Sequence, residues 1–286
     1  MVTNVITVTK TGVAGQLAEL PQPVRKLYYQ GDLPDLLTRP RVAIVGSRRA
    51  SAYGQQVTGQ LAKELAQAGV VIVSGLAYGI DSIAHRATLL AHGQTIAVLP
   101  AGLSSVYPRA HANLAAQIVE QGGALISEYP NDHMTIMKHQ FIARNRIIAS
   151  LSDVVVITEA AEKSGSLHTA QFALEQGIEV MAVPGNIYSS TSGGANQLLR
   201  TGAAPVTCVQ DILDSLGLQP AQQTIYSPNN PLEARIIELL QQQGQANSDT
   251  LLGDSKMTVT EFQQTLSLLE LHGVVRQASP NTWILQ

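Results

Sequence analysis

The sequence predicts an α/β fold: a Rossmann-like, doubly wound, mostly parallel sheet, joined to a small C-terminal winged-helix-like domain. Three observations predict it. The middle of the chain alternates short β-branched runs with longer segments of helical period. Those short runs are nearly continuous stretches of apolar residues, as a sheet covered on both faces requires. After a stretch of linker composition, the helical period restarts in residues 231–286.

Residues 1–39 are expected to form an N-terminal extension. Within it, Leu27-Tyr28-Tyr29-Gln30-Gly31-Asp32 reads as a strand and turn packed on the main domain's edge. The main domain is predicted over 40–216. Its strands fall at 42–45, 70–73, 95–99, 124–127, 153–158, 179–183 and 206–209, and its helices at 53–68, 80–92, 110–121, 140–151, 166–176 and 195–201. Residues 217–230 read as a linker. In 231–286, Pro231 suits a helix N-terminus, and Leu232, Ile236, Ile237, Leu239 and Leu240 form a stripe ending near Gly244. A short segment at 248–252 follows, then a helix at 258–272 with Val259, Phe262, Leu266 and Leu269 on one face. A hairpin is expected around Ser279-Pro280-Asn281.

With 45% apolar and 14% charged residues, the 286-residue chain can bury a sizeable core and is not of disordered composition. The single cysteine, Cys208, excludes an internal disulfide framework and a multi-cysteine zinc site. Its apolar surroundings predict a buried structural thiol. A basic n-region and a long apolar run are both missing, so the expectation is a soluble, cytoplasmic protein without membrane contact. No His/Asp/Glu cluster has metal-ligand spacing, so no metal is expected.

In a doubly wound fold the ligand site lies at the carboxyl ends of the strands, in loops 46–51, 74–81, 100–108, 128–138, 159–166 and 184–194. The most informative stretch is 139–150, which carries Phe141, Arg144, Asn145 and Arg146, with Lys138 one turn ahead of Phe141. No acidic residue occurs from Met134 to Ser150, although the whole chain has a formal net charge of −3. A cationic cluster with an aromatic suits a polyanion whose bases can stack, although a solvated helix face would carry the same residues. Gly46, Ser47 and Arg48 follow the first strand. Their turn can offer N–H groups and a guanidinium to an anion, or simply connect strand to helix. The dinucleotide fingerprint G-x-G-x-x-G is absent there. Ser164, Gly165 and Ser166 can present hydroxyls and N–H groups to a phosphate, or cap a helix, but they do not form a P-loop. Asp81 and His85 share a helix face and are read as a structural pair, since no nucleophile completes a catalytic set. Glu128 and Glu159, at strand ends, suit either acid/base roles or ion pairs with Arg144 and Arg146.

Several motifs occur in order: Arg41-Val42-Ala43-Ile44-Val45-Gly46-Ser47-Arg48, Ser74-Gly75-Leu76-Ala77-Tyr78-Gly79-Ile80-Asp81, Tyr107-Pro108 and Ser127-Glu128-Tyr129-Pro130. Arg144-Asn145-Arg146-Ile147-Ile148-Ala149, Ser164-Gly165-Ser166-Leu167 and Ala182-Val183-Pro184-Gly185 follow. Over residues 25–215 this set resembles the bacterial DNA-processing protein A (DprA/Smf) family. The resemblance implies a non-enzymatic protein that binds single-stranded DNA and loads the RecA recombinase onto it during natural transformation. It also implies a dimeric Rossmann-like domain that uses no nucleotide cofactor. The matched positions that would carry DNA are Gly46, Ser47, Arg48, Lys138, Phe141, Arg144, Asn145 and Arg146, with phosphate contacts from Ser164, Gly165 and Ser166. Ile142 departs from the family's usual proline, His111 from a frequent asparagine and Ser104 from a common acid; none is a proposed ligand. An alternative expectation is an enzyme acting on a nucleotide derivative, with Glu128 or Glu159 as the acid/base. A third is an adaptor that binds proteins only.

The C-terminal unit resembles that family's winged-helix appendage, yet it carries three bases (Arg235, Lys256, Arg276) against six acids. Such a unit repels phosphates, so a protein-contact or dimerisation role is expected of it.

Overall fold

Val42 to Val45, apolar at each position, are buried on both sides, and the neighbouring strands repeat the pattern. The computed structural model describes residues 3–10, 15–218, 228, 230–279 and 281–285. They divide into two units, Met1–Ala221 and Gln222–Gln286.

In the first unit, β1 (Asn4–Thr7), β2 (Lys26–Gly31) and α1 (Leu33–Leu36) lead into β3 (Arg41–Val45). There follow α2 (Ala52–Gln67), β4 (Val71–Ser74), α3 (Ile80–Leu90), β5 (Thr95–Val98), α4 (Ala112–Glu120), β6 (Ala124–Ser127), α5 (Lys138–Ser150) and β7 (Val154–Ile157). The unit ends with α6 (Leu167–Glu175), β8 (Glu179–Ala182), α7 (Gly193–Arg200), β9 (Ala204–Pro205) and α8 (Val209–Ser215). The sheet order is β1-β2-β6-β5-β4-β3-β7-β8-β9. From β6 to β9 all neighbours are parallel, whereas β1 and β2 add an antiparallel edge. The chain winds outward from β3 in both directions, so the reversal in strand order falls between β3 and β7. That is where a doubly wound sheet opens a crevice for ligand.

Alternate strand positions feed two cores. Val42, Ile44, Ile72 and Val156 pack with Leu61 and Leu65 of α2 and Ile80 of α3. Ala43, Val45, Val73, Val155 and Ile157 face the other way, against Ile147 and Ile148 of α5 and Ala170 of α6. The N-terminal residues contribute Leu17, Leu27, Leu33 and Leu36, all fully buried, to this second core. Residues 1–39 therefore do more than lie along an edge.

Two sequence expectations are corrected at the end of this unit. The strand expected at 206–209 is the shorter β9, upstream, and Val209 instead begins α8. Cys208 is exposed rather than buried. The Asp211 carboxylate accepts from the N–H groups of Thr207 and Cys208, turning the chain into α8 and leaving the thiol outside the core.

The second unit contains α9 (Pro231–Gln243), β10 (Gln245–Asn247), α10 (Ser248–Ser255), α11 (Val259–Leu271), β11 (Val275–Ser279) and β12 (Thr282–Leu285). Asn230 caps α9 by accepting from the N–H groups of Leu232 and Glu233, both at 2.9 Å. The strands form a small sheet, β10-β12-β11, over a core of Ile236, Leu240, Leu251, Phe262, Leu269 and Trp283. Three helices and a terminal hairpin give the winged-helix arrangement. Of the 217–230 linker, residues 219–227 and 229 lie outside the described residues. Among the described residues, no helix is long and apolar enough to cross a membrane.

Candidate nucleic-acid interface

At the crevice beyond β3 and β7 lies a cavity of about 860 Å³. Its walls bring together Gly46, Arg48, Lys138, Phe141, Arg144, Asn145, Ser164, Gly165 and Ser166, from three separate stretches of the chain. Ser47 and Arg146 are not among the lining residues.

The exposed Arg48 guanidinium stands over the Phe141 ring, 5.1 Å from its centroid. Tyr107 meets the same ring edge-on, with centroids 5.4 Å apart. Lys138, exposed, is the first residue of α5, which starts two residues earlier than its apolar period suggests. The extra turn is held by Gln140, whose side-chain carbonyl accepts from the Met137 N–H. Lys138 and Phe141 are thereby fixed one turn apart at the mouth of the cavity. Across it, the hydroxyls of Ser164 and Ser166 lie 2.8 Å apart, and Asn145 donates to the Gly165 carbonyl at 3.1 Å.

Arg144 lies under the site, only 4% exposed. Its guanidinium donates to the carbonyls of Gly75 and Val98, joining the ends of β4 and β5. Burial pushes its pKa down to about 10; the Asp81 charge acts in the opposite sense and Arg48 reinforces the fall. It stays a cation at neutral pH, and most of its donors serve the scaffold. Asp81 lines the cavity as well, where the sequence suggested only a structural pairing with His85. Its carboxylate accepts from the Gly75 N–H at 3.1 Å. Burial raises its pKa, against the opposing charge of Arg144 and the hydrogen bonds from Ala77 and Gly75. The signal for its place was available, since Asp81 ends a loop at a strand's carboxyl end, but the helix-face pairing with His85 drew attention away.

That pairing is not formed. His85 Nδ1 lies 2.7 Å from the Thr95 hydroxyl, whose own hydrogen goes to the Ile72 carbonyl. Nδ1 is therefore the donor, and the ring is neutral, its pKa driven down to about 3 by burial, with His111 and Arg144 adding to the fall.

Two expected ligands make polar contacts within the protein. Ser47 gives its N–H to the Glu159 carbonyl at 2.7 Å, and its hydroxyl accepts from the Arg49 N–H. The Ser47 N–H is thus engaged within the fold, whereas the Arg48 side chain in the same turn is exposed. Arg146 is 7% exposed and its Nη2 is bound to Glu128 at 2.5 Å; Nε and Nη1 are buried without partners. Arg144 and Arg146 are two residues apart on one helix and so point to different surroundings. Of the two strand-end acids, Glu128 is thus an ion-pair partner. Glu159, buried, accepts from the Ser51 N–H at 2.8 Å and the Thr191 hydroxyl at 2.5 Å. Neither carboxylate lines the cavity.

Comparison with known proteins agrees with this architecture. A family model described as DNA recombination-mediator protein A matches residues 4–217, and one described as the DprA winged helix domain matches residues 219–279. Protein Smf of Escherichia coli is 46% identical over 209 residues, which is 71% of this chain. This chain spans about half (55%) of that relative's length. DNA processing protein DprA of Bacillus subtilis is 39% identical over 221 residues, covering 77% of this chain and 74% of its own. Among solved structures, DNA processing protein A from Streptococcus pneumoniae superimposes with a TM-score of 0.64 at 42% identity, covering 70% of this chain and 69% of its own. The Helicobacter pylori protein, described for its single-stranded DNA binding mode, does so with a TM-score of 0.66 at 36% identity, covering 75% and 95%. The chain, with its Rossmann-like sheet and winged helix, belongs to the DNA recombination-mediator protein A family.

Proposed function

We propose that this protein binds single-stranded DNA at the cavity beyond β3 and β7 and, as a homodimer, loads RecA onto that DNA during natural transformation. One observation carries the DNA part: a single cavity has a cation stacked on an aromatic ring, a second cation one turn away and paired hydroxyls opposite. Arg48 and Lys138 supply charge for phosphates, Phe141 and Tyr107 supply faces for a base, and Ser164 to Ser166 supply short polar contacts. The similarity to the Helicobacter pylori protein, described as binding single-stranded DNA, supports the same reading. Binding without bond chemistry fits the acids: Glu128 and Glu159 are engaged elsewhere, which removes the reason to read the pocket as a nucleotide enzyme's. The RecA and dimer parts rest on family membership.

The test is fluorescence anisotropy of labelled oligo-dT over a salt series, with wild type, Arg48→Ala and Lys138→Ala. Wild-type affinity should fall steeply with salt, and each variant should bind more weakly with a salt slope smaller by about 1. Equal affinity in all three folded proteins would refute the site. Failure of wild type to bind at low salt would refute the function.

A further inference from the structure

Tyr78 is 49% exposed in a chain with only 4% aromatic residues, and the DNA-site reading above leaves it without a role. It is held out from the surface by a turn that is expensive to make. Leu76 has φ +57° with its side chain fully buried, and Gly79 has φ +74°. Beneath the turn, Gly75 is clamped between the Arg144 guanidinium and the Asp81 carboxylate. The next residue after Tyr78, Gly79, lies so close to the Ser47 and Arg48 backbone that a Cβ there would collide with it, and Ile80 N–H donates to the Ser47 carbonyl. Tyr78 is thus tethered to the turn that carries Arg48.

Its ring and that of His111 make a T-shaped contact, with centroids 5.0 Å apart and planes at 66°. His111 is buried and fixed by Nδ1 to the Leu76 carbonyl. The short helical turn carrying His111 also carries the exposed Arg109, directly after Tyr107 and Pro108. Tyr107 in turn meets Phe141 inside the cavity. From Ser82 to Val119 the chain contains no Asp or Glu. The nearby acid Asp81 is buried and bound by the Gly75 N–H. Tyr78 follows Ala77 and Arg109 lies two residues after Tyr107; Ala77 and Tyr107 both line the cavity, so this flank adds an aromatic ring and a cation. Those are the requirements of a nucleotide in a single strand: a base to stack and a phosphate to neutralise.

We propose that Tyr78 is a second stacking platform, taking a base of single-stranded DNA next to the one held in the cavity, with Arg109 placed for its phosphate. This rests on the DNA-binding reading above and extends the strand's path toward the ends of β4 and β5. Stacking is indifferent to base identity, so the platform adds affinity rather than sequence preference.

The experiment measures oligo-dT binding by Tyr78→Ala, Tyr78→Phe and Tyr78→Leu beside wild type and Arg48→Ala, with folding checked by circular dichroism. A 2-aminopurine placed along the oligonucleotide reports stacking directly. Tyr78→Ala should bind about 5- to 10-fold more weakly, with an unchanged salt slope because no charge is lost. Tyr78→Phe should match wild type, and its complex should quench 2-aminopurine as wild type does. Should Tyr78→Ala fail to fold, Tyr78→Leu decides: it keeps apolar bulk on His111 without a π-face and should show the same loss. Wild-type affinity in folded Tyr78→Ala or Tyr78→Leu, with Arg48→Ala still weakened, overturns the platform and leaves the cavity reading standing. Equal loss in Tyr78→Phe overturns it too, because the hydroxyl rather than the ring would then matter. Absence of wild-type binding overturns both readings.

Discussion

At the scale of single residues, the two arginines of the Arg144-Asn145-Arg146 motif separate by burial and partner. Arg144 ties Gly75 to Val98 beneath the cavity, whereas Arg146 is committed to Glu128. Burial raises the Glu128 pKa and Arg146 counters it, so removing the arginine leaves a partly buried acid without its counter-charge. Arg146→Ala should therefore act on stability, by about 2 kcal/mol, below the value for a fully buried pair because the Glu128 side chain keeps 23% exposure. Both substitutions remove the two buried donors that have no partner, but Arg146→Met should cost less than Arg146→Ala because it fills the space that alanine leaves empty. Thermal denaturation measures the difference. The oligo-dT affinity of both folded variants should stay within twofold of wild type (about 0.4 kcal/mol), and a large loss would return Arg146 to the DNA site.

At the scale of elements, the cavity is made by loops pressed together at the strand ends. The turn after β4 must pass under Arg48 and over Arg144 at once. Glycine at 75 leaves room for the Arg144 guanidinium, and glycine at 79 takes a left-handed conformation against the Ser47 and Arg48 backbone. Gly79→Ala introduces both strain and collision. It should destabilise the protein by at least about 1–3 kcal/mol and weaken oligo-dT binding by displacing Arg48. Denaturant unfolding and anisotropy together check this. A variant as stable as wild type, with wild-type affinity, would show that the two loops are not coupled.

At the scale of the whole molecule, charge is divided between the units. The cavity of the first unit gathers Arg48, Lys138, Arg144 and Lys163 around its rim and floor. The second unit has twice as many acids as bases, and α11 carries Glu261 and Glu270 with no Lys or Arg. In a winged helix that binds DNA, this helix would have to approach phosphates, and its charge opposes that. It also leaves Leu268 and Leu271 exposed, which suits a protein contact better than a polyanion. Deleting residues 222–286 should leave oligo-dT affinity unchanged within about twofold while altering RecA loading or self-association, as read by sedimentation and strand-exchange assays. DNA binding by the isolated unit at moderate salt would contradict this.

The sequence by itself determined the alternation of strands and helices from β3 to α7 and a break between a large and a small unit, and it pointed to the carboxyl ends of the strands as the place for a site. It named none of β1, α1 and α8. Apolar runs, helical period and Gly or Pro punctuation are local signals that survive without a partner. It also exposed the cluster of Lys138, Phe141 and Arg144, because an acid-free stretch in an acidic chain is visible without coordinates. Only tertiary structure decided which of those groups face the cavity. Gly46 to Arg48, Lys138 to Asn145 and Ser164 to Ser166 are far apart in the chain, and meet because β3 and β7 are adjacent and parallel. Likewise, whether a cation is free or spent depends on its neighbour in space. Arg146 finds Glu128 and Arg144 finds two carbonyls, while Arg48 is left over Phe141 with its charge available.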